Sequence, residues 1–243
     1  MRKYFLFIST FGTCLINAQL VREITYGVSA GAIYSQMNNL EPMIIPQGVY
    51  QNYSTSENAK FGAAGGVFLN WKYPTEKISV QPELYYSRQS TDFKYNDKNG
   101  LNYNIKFPFH NLNLGFLLKY YFTDGFYIGA GPFFTFSLDK DALTYTSNAE
   151  ELSRQSGVYF EPDAIVQKTL KESFEGKDYF HSAFAIGYEF YNGLNIGFRY
   201  HLGLSDALET QENGHRFKNT NNKVSAFSLQ IGYRFSFDGH NNF

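Results

Sequence analysis

The gaps between this chain's alternating apolar and polar segments run long, short, long, short, and that rhythm limits the fold more than any single residue does. Tight connections at Pro74–Lys77, Thr123–Gly125 and Tyr191–Gly193 take turns with long polar ones near residues 35–59, 89–107, 139–177 and 205–222. Four long gaps and three short ones separate eight strands. Bacterial membrane barrels join strands by short periplasmic turns and longer extracellular loops. The pattern therefore predicts an all-β fold, an eight-stranded antiparallel up-and-down transmembrane β-barrel with both mature ends in the periplasm.

Composition agrees. The 243 residues include 20 Tyr and 25 Phe but one Trp, while the mean hydropathy is −0.35. An apolar exterior alternating with a polar interior gives that blend, and a bundle of membrane helices does not. Past the N-terminus there is no apolar run of about 18 residues, so any membrane crossing is made by strands. A soluble barrel or sandwich would also alternate, but with its apolar face inward and without the regular change in loop length.

Met1–Ala18 reads as a secretory signal: Arg2 and Lys3 supply the charged start, Tyr4–Ile16 the apolar stretch, and Gln19 the expected mature start. The domain division is then a signal over 1–18 and a single barrel over 19–243. The sole cysteine, Cys14, falls in the signal, which leaves the mature chain without a disulfide framework. Removing Arg2 and Lys3 leaves 19 basic residues against 22 acidic ones, a formal charge of −3 with no basic face for nucleic acid.

Each strand has an outward and an inward set. The first places Ile24, Tyr26, Val28, Ala30, Ala32 and Tyr34 outward. The second, Lys60–Tyr73, places Phe61, Ala63, Val67, Leu69, Trp71 and Tyr73 there. Val80, Leu84 and Tyr86 follow in the third, where Pro82 removes a ladder donor. The fourth carries Leu112, Leu114, Phe116, Leu118, Tyr120 and Phe122, and the fifth Phe126, Ile128, Ala130, Phe134 and Phe136. The sixth and seventh, with Phe184 to Phe190 and Leu194 to Leu202, flank Asn192-Gly193, a strong hairpin signal. Phe227, Leu229, Ile231, Tyr233 and Phe235 form the lipid face of the eighth. Aromatic residues gather at the turn ends, where an interfacial girdle belongs.

An eight-stranded barrel is only wide enough for its own side chains, and charges inside it must be paired. The inward set holds Lys60, Lys72, Gln81, Glu83, Lys119, Glu189, Arg199, His201 and Arg234. The third and seventh strands stand opposite one another, and Glu83 and Arg199 lie at similar heights above their turns. These two are expected to share one network across the lumen, and Lys119, Glu189 and Arg234 to form a second cluster nearer the periplasm. The role expected for this set, with Lys72, Gln81 and His201, is structural.

Catalytic and metal patterns are weak. His110, His181, His201, His215 and His240 are scattered, and adjacent His181-Ser182 point to opposite faces of a strand. Asp97-Lys98-Asn99-Gly100 lacks the ligand spacing of a calcium loop and reads as a turn. No catalytic residue, cofactor or metal is expected. Phe93 and Tyr95 before that turn, with Leu101, Tyr103 and Ile105 after it, extend the third and fourth strands beyond the membrane as a hairpin. In the long 139–177 gap, Asn148–Arg154 and Lys168–Phe174 have the composition of short helices.

Val80-Gln81-Pro82-Glu83-Leu84-Tyr85-Tyr86-Ser87, the Lys119-Tyr120-Tyr121-Phe122 ending of the fourth strand, Gly125-Phe126-Tyr127-Ile128-Gly129-Ala130-Gly131-Pro132 and Arg199-Tyr200-His201-Leu202-Gly203-Leu204 resemble the PorT-type outer-membrane β-barrel family of the Bacteroidota. The resemblance spans the mature chain, implies an eight-stranded barrel and treats Pro82 as a family feature. The family's namesake takes part in type IX secretion. Only Leu20–Glu23 separate the mature start from the first strand here, where the namesake group has a conserved stretch, so the resemblance alone does not carry the secretion role over. The resemblance supplies no catalytic residues.

The leading expectation is a non-enzymatic barrel of the cell outer membrane. Its lumen is plugged, and its long loops or periplasmic rim bind a partner, as in a secretion or uptake assembly. Outer-membrane lipid and lipopolysaccharide surround it, and envelope proteins are candidate partners. A lipid A-modifying enzyme and a narrow small-solute channel are the alternatives.

Overall fold

A computed structural model describes residues 23–45, 52–73, 77–210 and 220–236. The expected signal, Cys14, His215, His240 and the tail after Ser236 lie outside the described residues. Eight strands close into a ring: β1 (Glu23–Met37), β2 (Tyr53–Lys72), β3 (Ile78–Asp97), β4 (Asn102–Tyr121), β5 (Phe126–Ser137), β8 (Tyr179–Glu189), β9 (Leu194–Gly203) and β11 (Val224–Ser236). Each pairs antiparallel with its neighbours, and β11 returns to β1 from Thr25↔Ser236 to Met37↔Val224. Three short strands, β6 (Thr144–Ser147), β7 (Phe174–Gly176) and β10 (Leu208–Thr210), belong to the long connections.

The lipid-facing phase is the one read from the sequence. Ile24, Tyr26, Val28, Leu84, Ile128, Ile196, Leu229 and Ile231 are exposed, while their neighbours Thr25, Glu83, Tyr127, Ser228 and Gln230 are buried in the lumen. Hydrocarbon offers no hydrogen bonds, so only a closed ladder can cross it. At the short-turn rim Gly193 takes φ +88°, the left-handed position that ends the three-residue turn Tyr191–Gly193 between β8 and β9, across which the Phe190 N–H donates to the Leu194 carbonyl.

Pro82 and Pro132 mark one interrupted level in this wall. Pairing of β2 with β3 holds at Phe68↔Glu83 and resumes at Trp71↔Val80, while β3 continues unbroken against β4 through Pro82↔Phe116. Pairing of β4 with β5 likewise holds at Gly115↔Phe133 and resumes at Leu118↔Ala130, omitting the step where Phe116 meets Pro132. Each proline lacks the N–H that would complete its ladder on one side only.

The strands differ in height. β2, β3 and β4 are 20 residues long against 10 in β9 and 11 in β8. A crossing takes about 9–11 residues, so these three rise roughly 30 Å of strand beyond the lipid band. The hairpin of β3 and β4 was expected to project. The rise of β2 was not, because the sequence reading began that strand at Lys60 and assigned 53–59 to a loop. A β-bulge between Ala59 and Ala63 shifts the register by one residue there. It also displaces Lys60, which was expected in the lumen. Its ammonium instead pairs with Asp92 at 2.9 Å, with 44% of the side chain exposed.

The long-loop end closes over an apolar core. Helix α1 (Glu41–Ile44) buries Met43 and Ile44 beside Phe93, Phe107, Phe174 and Leu208. The Glu57 carboxylate accepts from the backbone N–H groups of Leu40 and Glu41 at 2.6 and 3.2 Å, which fixes the entry to that helix. Helices α2 (Ala149–Ser156) and α3 (Asp163–Ser173) fill the longest connection, and α3 adds Leu170 to the core. β7 pairs with β10, and fully buried Asn222 accepts from the N–H groups of Ala207 and Leu208 at 2.9 and 2.7 Å.

A lysine at Ile231, near mid-height on the lipid face, is expected to cost about 2–4 kcal/mol in the bilayer. Glutamine at Ile231 would cost less. Equilibrium urea unfolding in lipid vesicles checks this ordering, and equal stability of Ile231→Lys and the parent would contradict the outward phase.

Candidate functional site

Alternation places every second residue of a barrel strand in the lumen, and strand height decides which of them meet. In β3 these are Ser79, Gln81, Glu83, Tyr85, Ser87 and Gln89, all buried. Across the lumen, Arg199 of β9 donates to both Glu83 carboxylate oxygens, Nη1 at 2.5 Å and Nη2 at 2.8 Å. Planar guanidinium and carboxylate match in this two-point contact, which holds the geometry as well as neutralising the charge.

Gln81 extends the contact toward the short-turn rim. Its amide donates to Glu83 at 2.5 Å and its oxygen accepts from the Lys119 ammonium. Lys119 also pairs with Glu189 of β8 at 2.8 Å, and Arg234 of β11 reaches the other Glu189 oxygen at 2.8 Å. Six residues from β3, β4, β8, β9 and β11 thus form one continuous chain, Arg199–Glu83–Gln81–Lys119–Glu189–Arg234, rather than two separate clusters. It carries three cations and two carboxylates, every one at most 8% exposed.

The remaining polar residues singled out in the sequence lie beside this chain. Lys72 stands 5.0 Å from the centroid of the Tyr121 ring, a cation–π contact near the rim. Lys119 is 4.1 Å above the ring of Tyr127, whose side chain crosses toward Gly187 and Gly197. A Cβ at Gly187 would come within 2.6 Å of the Tyr127 hydroxyl, so only glycine leaves that aromatic its place. His201 joins a higher, uncharged layer.

The network that joins that upper layer was not read from the sequence, although His201 was expected in the lumen. His181 meets the Tyr85 hydroxyl at 3.3 Å and the Thr135 hydroxyl at 3.1 Å, and Thr135 donates to Asn113 at 2.8 Å. Asn113 donates to Ser87 at 3.1 Å, and Gln89 donates to the same Ser87 hydroxyl at 3.0 Å. Phe133 stacks on His181, with ring centroids 5.3 Å apart, and His201 meets the Ser228 hydroxyl at 3.1 Å. The inward positions of β4, once taken in pairs with those of β3, were the available signal: the register sets Ser87 against Asn111 and Tyr85 against Asn113.

From rim to cap the interior is therefore ionic, then amide, hydroxyl and imidazole, then apolar. His201 and Ser228 are within proton-transfer reach, but both are buried in the lumen at 5% exposure or less, away from the lipid face. Among the described residues, no group of three or more His, Cys, Asp or Glu could hold a metal ion.

The family model for an outer membrane protein beta-barrel domain matches residues 17–209. Nothing among curated proteins matches the chain. Solved structures similar to it include OprG of Pseudomonas aeruginosa, 13% identical over 89% of this chain and 97% of that one, with a TM-score of 0.43. Ail, the attachment invasion locus protein of Yersinia pestis, is 11% identical over 88% of this chain and 99% of that one, with a TM-score of 0.36. Neisserial surface protein A is 9% identical over 87% and 97%, with a TM-score of 0.35.

Breaking the Glu83–Arg199 contact from one side, as in Arg199→Met, is expected to cost about 3–5 kcal/mol, because the buried carboxylate loses its partner. The double variant Glu83→Leu/Arg199→Met should recover most of that loss. The temperature at which the folded barrel converts to the unfolded band on gel electrophoresis reads both.

Proposed function

The chain belongs to the outer membrane β-barrel domain family and resides in the outer membrane, and on that premise we propose that it is a closed, non-enzymatic barrel that works through its extracellular end. The observation carrying this reading is the stacked filling of the lumen. The Arg199-to-Arg234 chain spans the periplasmic half, and the apolar core beneath α1 and β7 occupies the extracellular end. Opening such a lumen would strand charges that now neutralise one another. Binding then falls to the surface that rises above the lipid band, built on β2, β3 and β4.

In this reading Met1–Ala18 is the export signal, and the PorT-type resemblance describes the barrel rather than a secretion role. The working surface serves outer-leaflet lipid or an envelope protein. A lipid A-modifying enzyme is the second reading, and the His201–Ser228 contact at 3.1 Å is the one observation that favours it. Its burial in the lumen, with no lipid-facing approach, weighs against it, since a hydrolase must bring substrate to its nucleophile.

Planar-bilayer recordings of the purified protein are expected to show no discrete conductance steps, and regular steps would overturn the closed reading. Incubation with lipopolysaccharide followed by mass spectrometry should leave lipid A unchanged in mass. A mass shift abolished by Ser228→Ala would establish the enzyme instead.

A further inference from the structure

Above the lipid band, β2, β3, β4 and β6 form a four-stranded sheet with two unlike faces. The inner face is aromatic: Tyr53, Tyr95, Tyr103 and Tyr145 stand in a row, one per strand, with successive ring centroids 5.5, 4.6 and 5.5 Å apart. These rings pack on the apolar core. The outer face is made of amides, hydroxyls and ammonium groups. Its register sets Asn96 against Asn102, Lys94 against Asn104, and Asn104 against Thr146. Together with Asn148 they line an open groove of about 320 Å³.

Below this groove the same face continues down to the lipid. Lys106 lies opposite Asp92, Arg88 opposite His110, and His110 meets the hydroxyl of Tyr86, the uppermost aromatic of the lipid face of β3, at 2.5 Å. Asp92 is the only acidic residue on this face of β3 and β4 between Tyr86 and Asn104, and its carboxylate is buried against Lys60. Arg88, His110, Lys106 and Lys94 therefore climb from the membrane edge in that order, with Asp92, already paired to Lys60, as the one anion among them. At about 3.3 Å per residue, Arg88 stands roughly 7 Å above Tyr86 along its strand and Lys94 a further 20 Å. The Asn104 amide oxygen is buried and finds no hydrogen-bond partner among the described residues.

We propose that this outer face, from Arg88 and His110 up to the groove at Lys94 and Asn104, binds the phosphorylated saccharide headgroup of lipopolysaccharide in the surrounding leaflet. Guanidinium and ammonium groups match phosphate oxygens, and side-chain amides match neighbouring sugar hydroxyls with a donor and an acceptor each. Above Tyr86 the outward positions of β3 are all polar, and the exposed ring of Phe61 on neighbouring β2 does not make the cluster of apolar anchors that a protein partner would need. Its continuity with the lipid band places it where the headgroup of an adjacent glycolipid must stand. Membrane confinement raises the local concentration of that ligand. The inference rests on the reading that the extracellular surface is the working part, and it names the ligand.

The test uses the full-length folded barrel in detergent, with purified rough lipopolysaccharide, its isolated lipid A and its released core saccharide as three probes, and native mass spectrometry as the readout. Lipopolysaccharide is expected to bind in a salt-sensitive manner and more tightly than either fragment. Lys94→Glu/Lys106→Glu should weaken lipopolysaccharide about tenfold while leaving lipid A unchanged. Arg88→Gln/His110→Gln should weaken both. Heat-induced mobility shift confirms that each variant is folded, and Glu209→Gln on β10, which pairs with Lys177 and does not line the groove, serves as the unaffected control. Unchanged affinity in both double variants would overturn the proposal, as would equal binding of dephosphorylated lipopolysaccharide. Equal binding of the free core saccharide would also overturn it in favour of a soluble polysaccharide. Conductance recorded on the same preparation separates the two readings. Steps with intact lipopolysaccharide binding defeat only the closed lumen, and silence without binding defeats only this inference.

Discussion

Pairing of β1 with β11 is the contact on which the molecule depends, because it leaves the membrane-spanning ring without an edge. The first and last strands meet along thirteen residue pairs, from Thr25↔Ser236 to Met37↔Val224, and inside hydrocarbon no solvent would satisfy their backbone groups if they parted. Closure at eight strands then fixes the diameter, and the diameter fixes what the interior can hold. There is room for side chains and little else. The filled lumen is thus a consequence of strand number, and the sequence decides only the chemistry of the filling.

That chemistry is graded. Near the periplasm, where water is close, charges are tolerated because three cations surround two carboxylates. At mid-height neutral amides, hydroxyls and imidazoles take over, with glycines at 187 and 197 admitting the Tyr127 ring. At the extracellular end the contents become those of a soluble domain: Met37, Leu40, Phe93, Phe107 and Leu208, drawn from strand ends and connections far apart in the chain. The barrel is held by lipid around its waist and by a conventional hydrophobic core at its head.

Much of the wall was legible in the sequence, since period-two alternation and the three short turns are local signals. The facing of Glu83 and Arg199 followed from counting residues up from two turns on opposite strands. The head was not legible for a different reason. Its core joins inward residues at the upper ends of β1, β3 and β4 to others from α1, α3, β7 and β10, short pieces with no periodicity of their own, and these contacts exist only after the barrel brings the loops together. β2 hid its upper half because Ser54, Ser56 and Asn58 look like loop residues when their inward partners Tyr53, Thr55 and Glu57 are themselves mostly polar. Lys60 was misplaced because a bulge, which advances the register by one residue, leaves no mark in hydropathy.

Pro82, Phe116 and Pro132 lie side by side across β3, β4 and β5 at a single height. The tallest hairpin of the molecule is consequently stitched to its neighbours less densely at that level, on its left flank and on its right. A sideways load on the exposed ribbon is concentrated there, within the bilayer, where the wall is most compliant.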